Sequence, residues 1–350
     1  MMKKFSVYIG LLLGLLFSGL ICGQETRYAA AFLDLGIGAR GMALGGAYVA
    51  VADDGSAFYW NPAGASTLVR AEVSGMYASL FNSLVKHFHV GFTRPLYGAG
   101  AISINWVRLS VSGIPRYDSP LLDDPNSSYA TRVLESTRGG DWERFALTSE
   151  PLGFSNSHDD ALFITLAKLN KLDIDFGWQY FVLPVSIPVG VNIKLIRQTL
   201  FENRGSGIGF DVGAMFKFGL DDLLDDSRLG KFTFGVAVKD IWNTKITWNT
   251  DSRHVDRIPR RWNLGGAYMQ PLPGLSSQLL FAYSVRQQDH NFHNFGLEYV
   301  YYNRLAVRFG LTDGKFTAGM GLKLALFRID YAFRSHELGG SHRINTSLQL

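Results

Sequence analysis

Alternation of apolar and polar residues with a period of two runs through most of the chain, and it limits the possible folds more than any other feature. In GIGFDVGAMFKF, residues 207–218, apolar side chains recur at every second position, and charged residues such as Asp211 and Lys217 lie between them. The segment KFTFGVAVKD, residues 231–240, repeats the pattern. Because a β-strand places successive side chains on opposite faces, such segments predict strands with one apolar face.

The alternating segments predict an all-β fold of fourteen strands. They cover residues 72–80, 87–95, 99–109, 160–168, 188–198, 206–218, 231–240, 261–270, 277–286, 292–301, 304–312, 315–326, 327–335 and 342–350. Most are about ten residues long, which is the length that a tilted strand needs to cross an outer membrane. Strands of globular proteins are usually shorter, at about five or six residues.

A soluble β-sandwich or propeller with an apolar core could give the same alternation, but the connections favour a membrane barrel. Short turns such as PLYG alternate with long polar segments such as 240–260, and aromatic residues gather at strand ends. Outer-membrane barrels combine these features. We therefore predict a transmembrane antiparallel β-barrel of about 14 strands over residues 71–350, with a long extracellular loop at 111–159. The apolar segment 173–186 is left unassigned, and a strand there would raise the count to sixteen.

The N-terminus has the pattern of a secretory signal peptide over residues 1–23: a basic start, MMKK, then an apolar run that ends in small residues. Lipidation at Cys22 is disfavoured because the preceding residue, Ile21, is bulky. Together with the barrel, the signal predicts the outer membrane of a diderm bacterium as the location and its lipid as a partner.

The composition and the residue spacing argue against several other functions. The chain has 34 basic and 30 acidic residues without a basic run, so nucleic acid is not an expected partner. His87 and His89 share one strand face, but no third metal ligand follows at a suitable spacing. No catalytic motif appears, and we predict no enzyme activity, no cofactor and no metal.

A G-x-G-x-x-G spacing occurs at Gly36, Gly38 and Gly41, but its surroundings do not fit a dinucleotide site. Such a site needs a preceding buried strand and an acidic residue about twenty positions later. The upstream sequence RYAAAFLDL is rich in alanine, and the later position falls in YWNP, residues 59–62. The glycines therefore need another explanation.

The longer segment LGIGARGMALGGAYVAVADDGSAFYWNPAGAS, residues 35–66, resembles the N-terminal signature of PorV/PorQ-like outer-membrane proteins, which belong with the FadL-type long-chain fatty-acid transporters. The matching residues include Gly38, Arg40, Gly41, Gly45, Gly46, Asp53, Asp54, Asn61, Pro62, Ala63 and Gly64. The resemblance implies a fourteen-stranded barrel whose residues 24–70 fold into the lumen as a plug. Glycines suit such a plug because they permit tight turns and close backbone contacts.

Two functions follow from the resemblance. The PorV-like match implies a role in protein secretion or cargo handling at the outer membrane, with secreted cargo proteins or type IX secretion components as partners. The alternative is FadL-like uptake of hydrophobic small molecules such as long-chain fatty acids.

The charged residues on the polar strand faces are expected to form cross-strand ion pairs between the plug and the wall. They are Asp211, Lys217, Lys239, Glu298, Arg308, Lys323, Arg328 and Asp330.

Overall fold

A computed structural model describes residues 29–81, 84–116, 151, 153–175, 177, 182–250, 252–287, 291–335 and 340–350. The expected signal peptide at residues 1–23 and most of the predicted extracellular loop lie outside these ranges. Among the described residues, no helix is both long enough and apolar enough to span a membrane.

The strands form one closed antiparallel ring. In chain order they are β1 Glu72–Leu80, β2 Val85–Leu96, β3 Gly100–Arg116, β4 Gly153–Asp175, β5 Val182–Leu200, β6 Asn203–Gly219, β7 Lys231–Lys239, β8 Thr244–Trp248, β9 Val255–Ile258, β10 Arg261–Leu272, β11 Ser277–Gln287, β12 Asn291–Tyr301, β13 Leu305–Thr312, β14 Lys315–Leu324, β15 Phe327–Arg334 and β16 Ser341–Gln349. Neighbours pair in sequence, except that β7 pairs with β10, and the hairpin β8–β9 attaches to the start of β6. The ring closes where β1 pairs with β16, with Val73 opposite Leu348.

The predicted fourteen-stranded barrel is confirmed, because β8 and β9 form a hairpin beside the ring and the other strands close it. The bounds of β3, β4 and β5 differ most from those predicted. β3 and β4 remain paired as far as Arg116 and Gly153, so strand structure extends into the predicted loop at 111–159. The described residues of the segment 173–186 add no separate strand. Its two ends belong to the long strands β4 and β5, in which Asp175 pairs with Val182.

The two faces of the barrel wall differ sharply in burial. On β13, Val307 and Phe309 are each 47% exposed, whereas Arg308 between them is 1% exposed. Apolar side chains therefore point away from the ring and charged ones point into it, which is the arrangement of a barrel in lipid.

Both ends of the barrel sequence lie at the same rim, where Glu72 pairs with Gln349. The short connections between β12 and β13 and between β14 and β15 lie at this rim, and the long connection between β3 and β4 lies at the other. Short turns face the periplasm in barrels of this type, so this rim is the periplasmic one.

Residues 29–71 precede β1 and lie inside the ring. They form short helical turns: 3-10 helices at Ala31–Asp34 and Pro62–Thr67, and α-helical turns α1 Ala39–Ala43 and α2 Ala57–Trp60. Helix α1 contacts β13–β16, and the 3-10 helix Pro62–Thr67 contacts β2–β6 on the far side of the ring. A segment that contacts both sides of a closed ring occupies its lumen. We call residues 29–71 the luminal segment.

Candidate functional site: the luminal segment and the inner wall

Glycines within the luminal segment allow its own turns to pack closely. A side chain at Gly41 would reach within 2.7 Å of the indole nitrogen of Trp60. The indole instead donates a hydrogen bond to the carbonyl of Ile37, 2.8 Å away. At Gly64, a Cβ would lie 2.0 Å from the carbonyl oxygen of Ala52. Gly41, the last glycine of the G-x-G-x-x-G spacing, and Gly64 therefore serve internal packing of the segment.

A second set of glycines lies on the inner face of the barrel wall, opposite the luminal segment. We call these the wall glycines: Gly190, Gly213, Gly235, Gly265, Gly296, Gly310 and Gly319. A Cβ at Gly190 would lie 2.5 Å from the backbone of Pro62, and one at Gly310 would lie 2.3 Å from the backbone nitrogen of Gly45. The backbone of the segment thus rests directly on the backbone of the wall.

The Asn61-Pro62-Ala63 element fastens the segment to β6 and β7. The Asn61 amide nitrogen donates to the carbonyl of Val49 at 2.8 Å, of Ala214 at 3.1 Å and of Val236 at 3.3 Å. Its amide oxygen accepts from the backbone N–H of Ala63 at 3.2 Å. Asn61 therefore caps a helical turn and links the segment to two strands of the wall.

Arg40 is the main ionic contact between the segment and the wall. Its Nε and Nη2 donate to both carboxylate oxygens of Glu298 on β12, at 2.8 and 2.7 Å. Its Nη1 pairs with Asp53 of the segment and lies 3.2 Å from the hydroxyl of Tyr48. This two-point pairing with Glu298 fixes the orientation of the guanidinium as well as its charge.

The ionic contact continues along the wall through four of the eight charged residues that were expected to pair, Glu298, Arg308, Arg328 and Asp330. Arg308 pairs with Glu298 and, at 2.8 Å, with Asp330. Asp330 also accepts from Arg328 at 2.7 Å. With Arg40, these groups form an alternating chain of charges across β12, β13 and β15.

Asp54 and Tyr48 belong to the same region of the segment. The Tyr48 hydroxyl donates to Asp54 at 2.7 Å, and the hydroxyl of Ser56 donates to Asp54 at 2.6 Å. Burial alone would raise the pKa of Asp54, but the guanidinium groups of Arg40 and Arg328, together with these hydrogen bonds, hold the pKa below its ordinary value. Asp54 is thus an ionised partner within the charged region.

A second charged cluster lies on the opposite wall. Lys194 of β5 pairs with Asp211 at 2.8 Å and with Asp240 at 2.9 Å. Beside it, Asn192 donates to the carbonyl of Phe58 at 2.7 Å. Of the inward charges predicted to pair, Asp211 does so here, whereas Lys239 lies over the ring of Tyr59, 3.7 Å from its centre. Burial raises the pKa of Tyr59 to about 12, with Asp34 adding to the effect.

Above these clusters, apolar side chains form a cluster on the extracellular half of the inner wall, beside polar ones such as His87 and Gln198. Inward-facing buried side chains there include Leu80, Val107, Phe163, Ile196, Ile246 and Ile258. Phe163 lies against Phe58 of the segment, with ring centres 5.0 Å apart. The apolar surface continues towards the extracellular rim through the partly exposed Val85, Leu109 and Trp248. Outer-membrane barrels usually have polar interiors, so this face is unusual.

His87 and His89 point into the lumen. His89 stacks on Phe58 at 5.1 Å and makes a 3.0 Å hydrogen bond to Asn105. Within the described ranges, no group of three or more His, Cys, Asp and Glu residues could hold a metal ion.

The structure brings the motif residues together, but through partners that the sequence motif did not indicate. Arg40 and Asp53 meet each other, and Gly41, Gly45 and Gly64 each face a close neighbour. Gly38 donates its backbone N–H to the sulfur of Met76, and Gly46 adopts a positive φ of 82°. The contacts of the wall glycines with the segment were not predicted, although the alternation of each strand places these glycines on the inward face.

No protein-family model and no curated protein matches the sequence. Membership in the PorV/PorQ-like family therefore stays a prediction from the motif.

Among solved structures, the chain is similar to the toluene transporter TbuX of Ralstonia pickettii, with 10% identity, a TM-score of 0.41, and coverage of 89% of this chain and 97% of that one. The outer membrane protein Omp33 of Acinetobacter baumannii gives 11% identity and a TM-score of 0.39, with coverage of 80% and 98%. The TodX monoaromatic hydrocarbon channel gives 10% identity, a TM-score of 0.39, and coverage of 89% and 97%.

Proposed function

We propose that this protein takes up hydrophobic small molecules across the outer membrane, and that its luminal segment is a plug that closes the bore to water. The proposal rests on the apolar cluster of the extracellular half, which runs from Leu109 and Trp248 near the rim down to Phe58. A channel for sugars or ions does not need an apolar cluster of this kind on its inner wall. An apolar solute leaving water gains free energy in proportion to the area that it buries there.

The apolar face ends at the luminal segment. Phe58 lies between His89 and Phe163, and the backbone carbonyl of Phe58 is held by Asn192. Below it, the segment contacts the wall at the wall glycines and through Arg40. A ligand that reaches Phe58 therefore needs a rearrangement of the segment before it can proceed towards the periplasm.

A chamber lined by both charged and apolar residues lies on the periplasmic side of the segment. A cavity of about 450 Å³ is lined by charged residues that include Arg40, Asp53, Lys217, Lys231 and Glu298. The lumen below the segment thus contains charged side chains. The apolar cluster favours binding of hydrophobic molecules on the extracellular side, and the charged groups below favour their release.

The secretion or cargo-handling role implied by the motif stays a prediction. It concerns partner proteins, and the described residues offer no specific observation in its favour. Co-purification of a secreted protein with the full-length chain would support it.

The uptake proposal is tested in proteoliposomes with labelled palmitate as the hydrophobic probe and maltose as the hydrophilic one. We expect entry of palmitate and exclusion of maltose. Leu109→Asp puts a carboxylate on the apolar face and should abolish palmitate uptake. Ser110→Asp, one position along on the other face of β3, is the matched control and should leave uptake unchanged. Entry of maltose, or equal palmitate uptake by both variants, would overturn the proposal.

A further inference from the structure

A large groove lies on the outer, lipid-facing side of the wall. It has a volume of about 1250 Å³ and lies over β6, β7 and β10–β14. We call it the wall groove. Its surface is formed by apolar side chains, among them Phe234, Leu264, Phe281, Phe295 and Phe309.

The groove lies directly behind the contacts of the luminal segment. Four wall glycines, Gly235, Gly265, Gly296 and Gly310, line the groove from outside. On the inside, the same glycines contact residues 44–50 of the segment. Because these glycines carry no side chain, the wall here is a single layer of backbone between the groove and the segment.

We propose that the wall groove binds the acyl chains of one outer-membrane lipid in a fixed position. The groove is continuous with the lipid-facing surface, since Phe234, Leu264 and Phe295 on its floor and rim are each about half exposed, at 53%, 53% and 51%. Its volume corresponds to roughly forty methylene-sized groups, taking about 30 Å³ for each, as for a water molecule in the liquid. This is enough for two chains side by side.

The polar groups of the groove favour acyl chains over a protein partner. Its lining contains two hydroxyl groups, those of Tyr268 and Tyr283. The Tyr268 hydroxyl is bonded to Gln270 and to the N–H of Gly230, and the Tyr283 hydroxyl is bonded to His293 at 2.8 Å. A peptide placed here would have to leave polar groups without partners, which is costly in an apolar medium. Hydrocarbon chains carry no such cost.

The test uses Gly266, which faces outward inside the groove. A Cβ there would lie 3.4 Å from the ring of Phe232, so Gly266→Leu can fold while its side chain fills the groove. Gly75→Leu is the matched control, because Gly75 also faces outward, on β1, away from the groove, and its nearest neighbour would be 3.6 Å away. Ala214→Leu, at the edge of the groove on β6, serves as a second filling variant.

The measurement is native mass spectrometry of the full-length protein after incubation with palmitoyl-oleoyl phosphatidylethanolamine. We expect one retained lipid on the wild type and on Gly75→Leu, and loss of that lipid from Gly266→Leu and from Ala214→Leu. Absence of retained lipid from the wild type, equal retention by all variants, or a second protein in place of the lipid would overturn the proposal. Palmitate uptake is a separate readout, so failure here does not bear on the proposed function.

Discussion

At the scale of single residues, the contact between the luminal segment and the wall depends on the absence of side chains. At Gly190 and Gly213 the wall backbone approaches Pro62 and Asn61, and any Cβ would overlap with them. The glycines of the motif could be recognised from sequence because they are close together in the chain. Their partners in the wall could not be recognised from sequence, because they are far away in the chain and only the closed ring brings them close to the segment.

The first prediction concerns Gly190→Val. The new side chain would overlap with the backbone of Pro62, which cannot move without disturbing the hydrogen bonds of Asn61. We expect a loss of about 1–3 kcal/mol of unfolding free energy, typical of overpacking. Urea unfolding of the refolded barrel measures it. Gly75→Val, where a Cβ meets only open space and ordinary contacts, is the control, and equal stability of the two variants would show that the close approach at Gly190 is not required.

At the scale of strands, the alternation of apolar and polar residues predicts the part of each strand that lies in the bilayer. It does not predict the parts that extend beyond the bilayer. β4 runs from Gly153 to Asp175, yet only residues 160–168 were predicted. The outer parts of the strand contain SNSHDD and NKLDID, in which polar residues fall on both faces. A strand that leaves the bilayer no longer needs an apolar face, although its backbone pairing continues. This explains why β3, β4 and β5 are longer than predicted while the ring itself was predicted correctly.

The second prediction tests the assignment of faces. Val307→Arg would place a charge on the lipid side, because Val307 is 47% exposed on the outer wall. The expected cost is about 2–4 kcal/mol near the bilayer centre. Thr233→Arg places the same side chain on the inner face, where Thr233 lines the charged chamber with Glu298 and Asp222. Its cost should be clearly smaller. Unfolding of both variants in lipid vesicles compares them, and a reversed order would contradict the orientation of the barrel.

At the scale of the whole molecule, a ring of fourteen strands is wide enough to leave an open lumen unless something fills it. The luminal segment contacts β2–β6 on one side and β13–β16 on the other. Its burial and its ion pairs with the wall explain why a sequence rich in glycine and turns precedes the first strand. The position of this segment in the lumen was predicted from the motif resemblance. The wall groove was not predicted, because it forms only when several strands come together in the closed barrel.

The most direct test is the ion conductance of the purified full-length protein in a planar lipid bilayer. We expect no steady current from the full-length chain, and open-pore current from a chain that lacks residues 24–70 and keeps its β-sheet content. A large steady current through the full-length protein, or a deletion variant that is folded and equally closed, would contradict the claim that the luminal segment seals the bore.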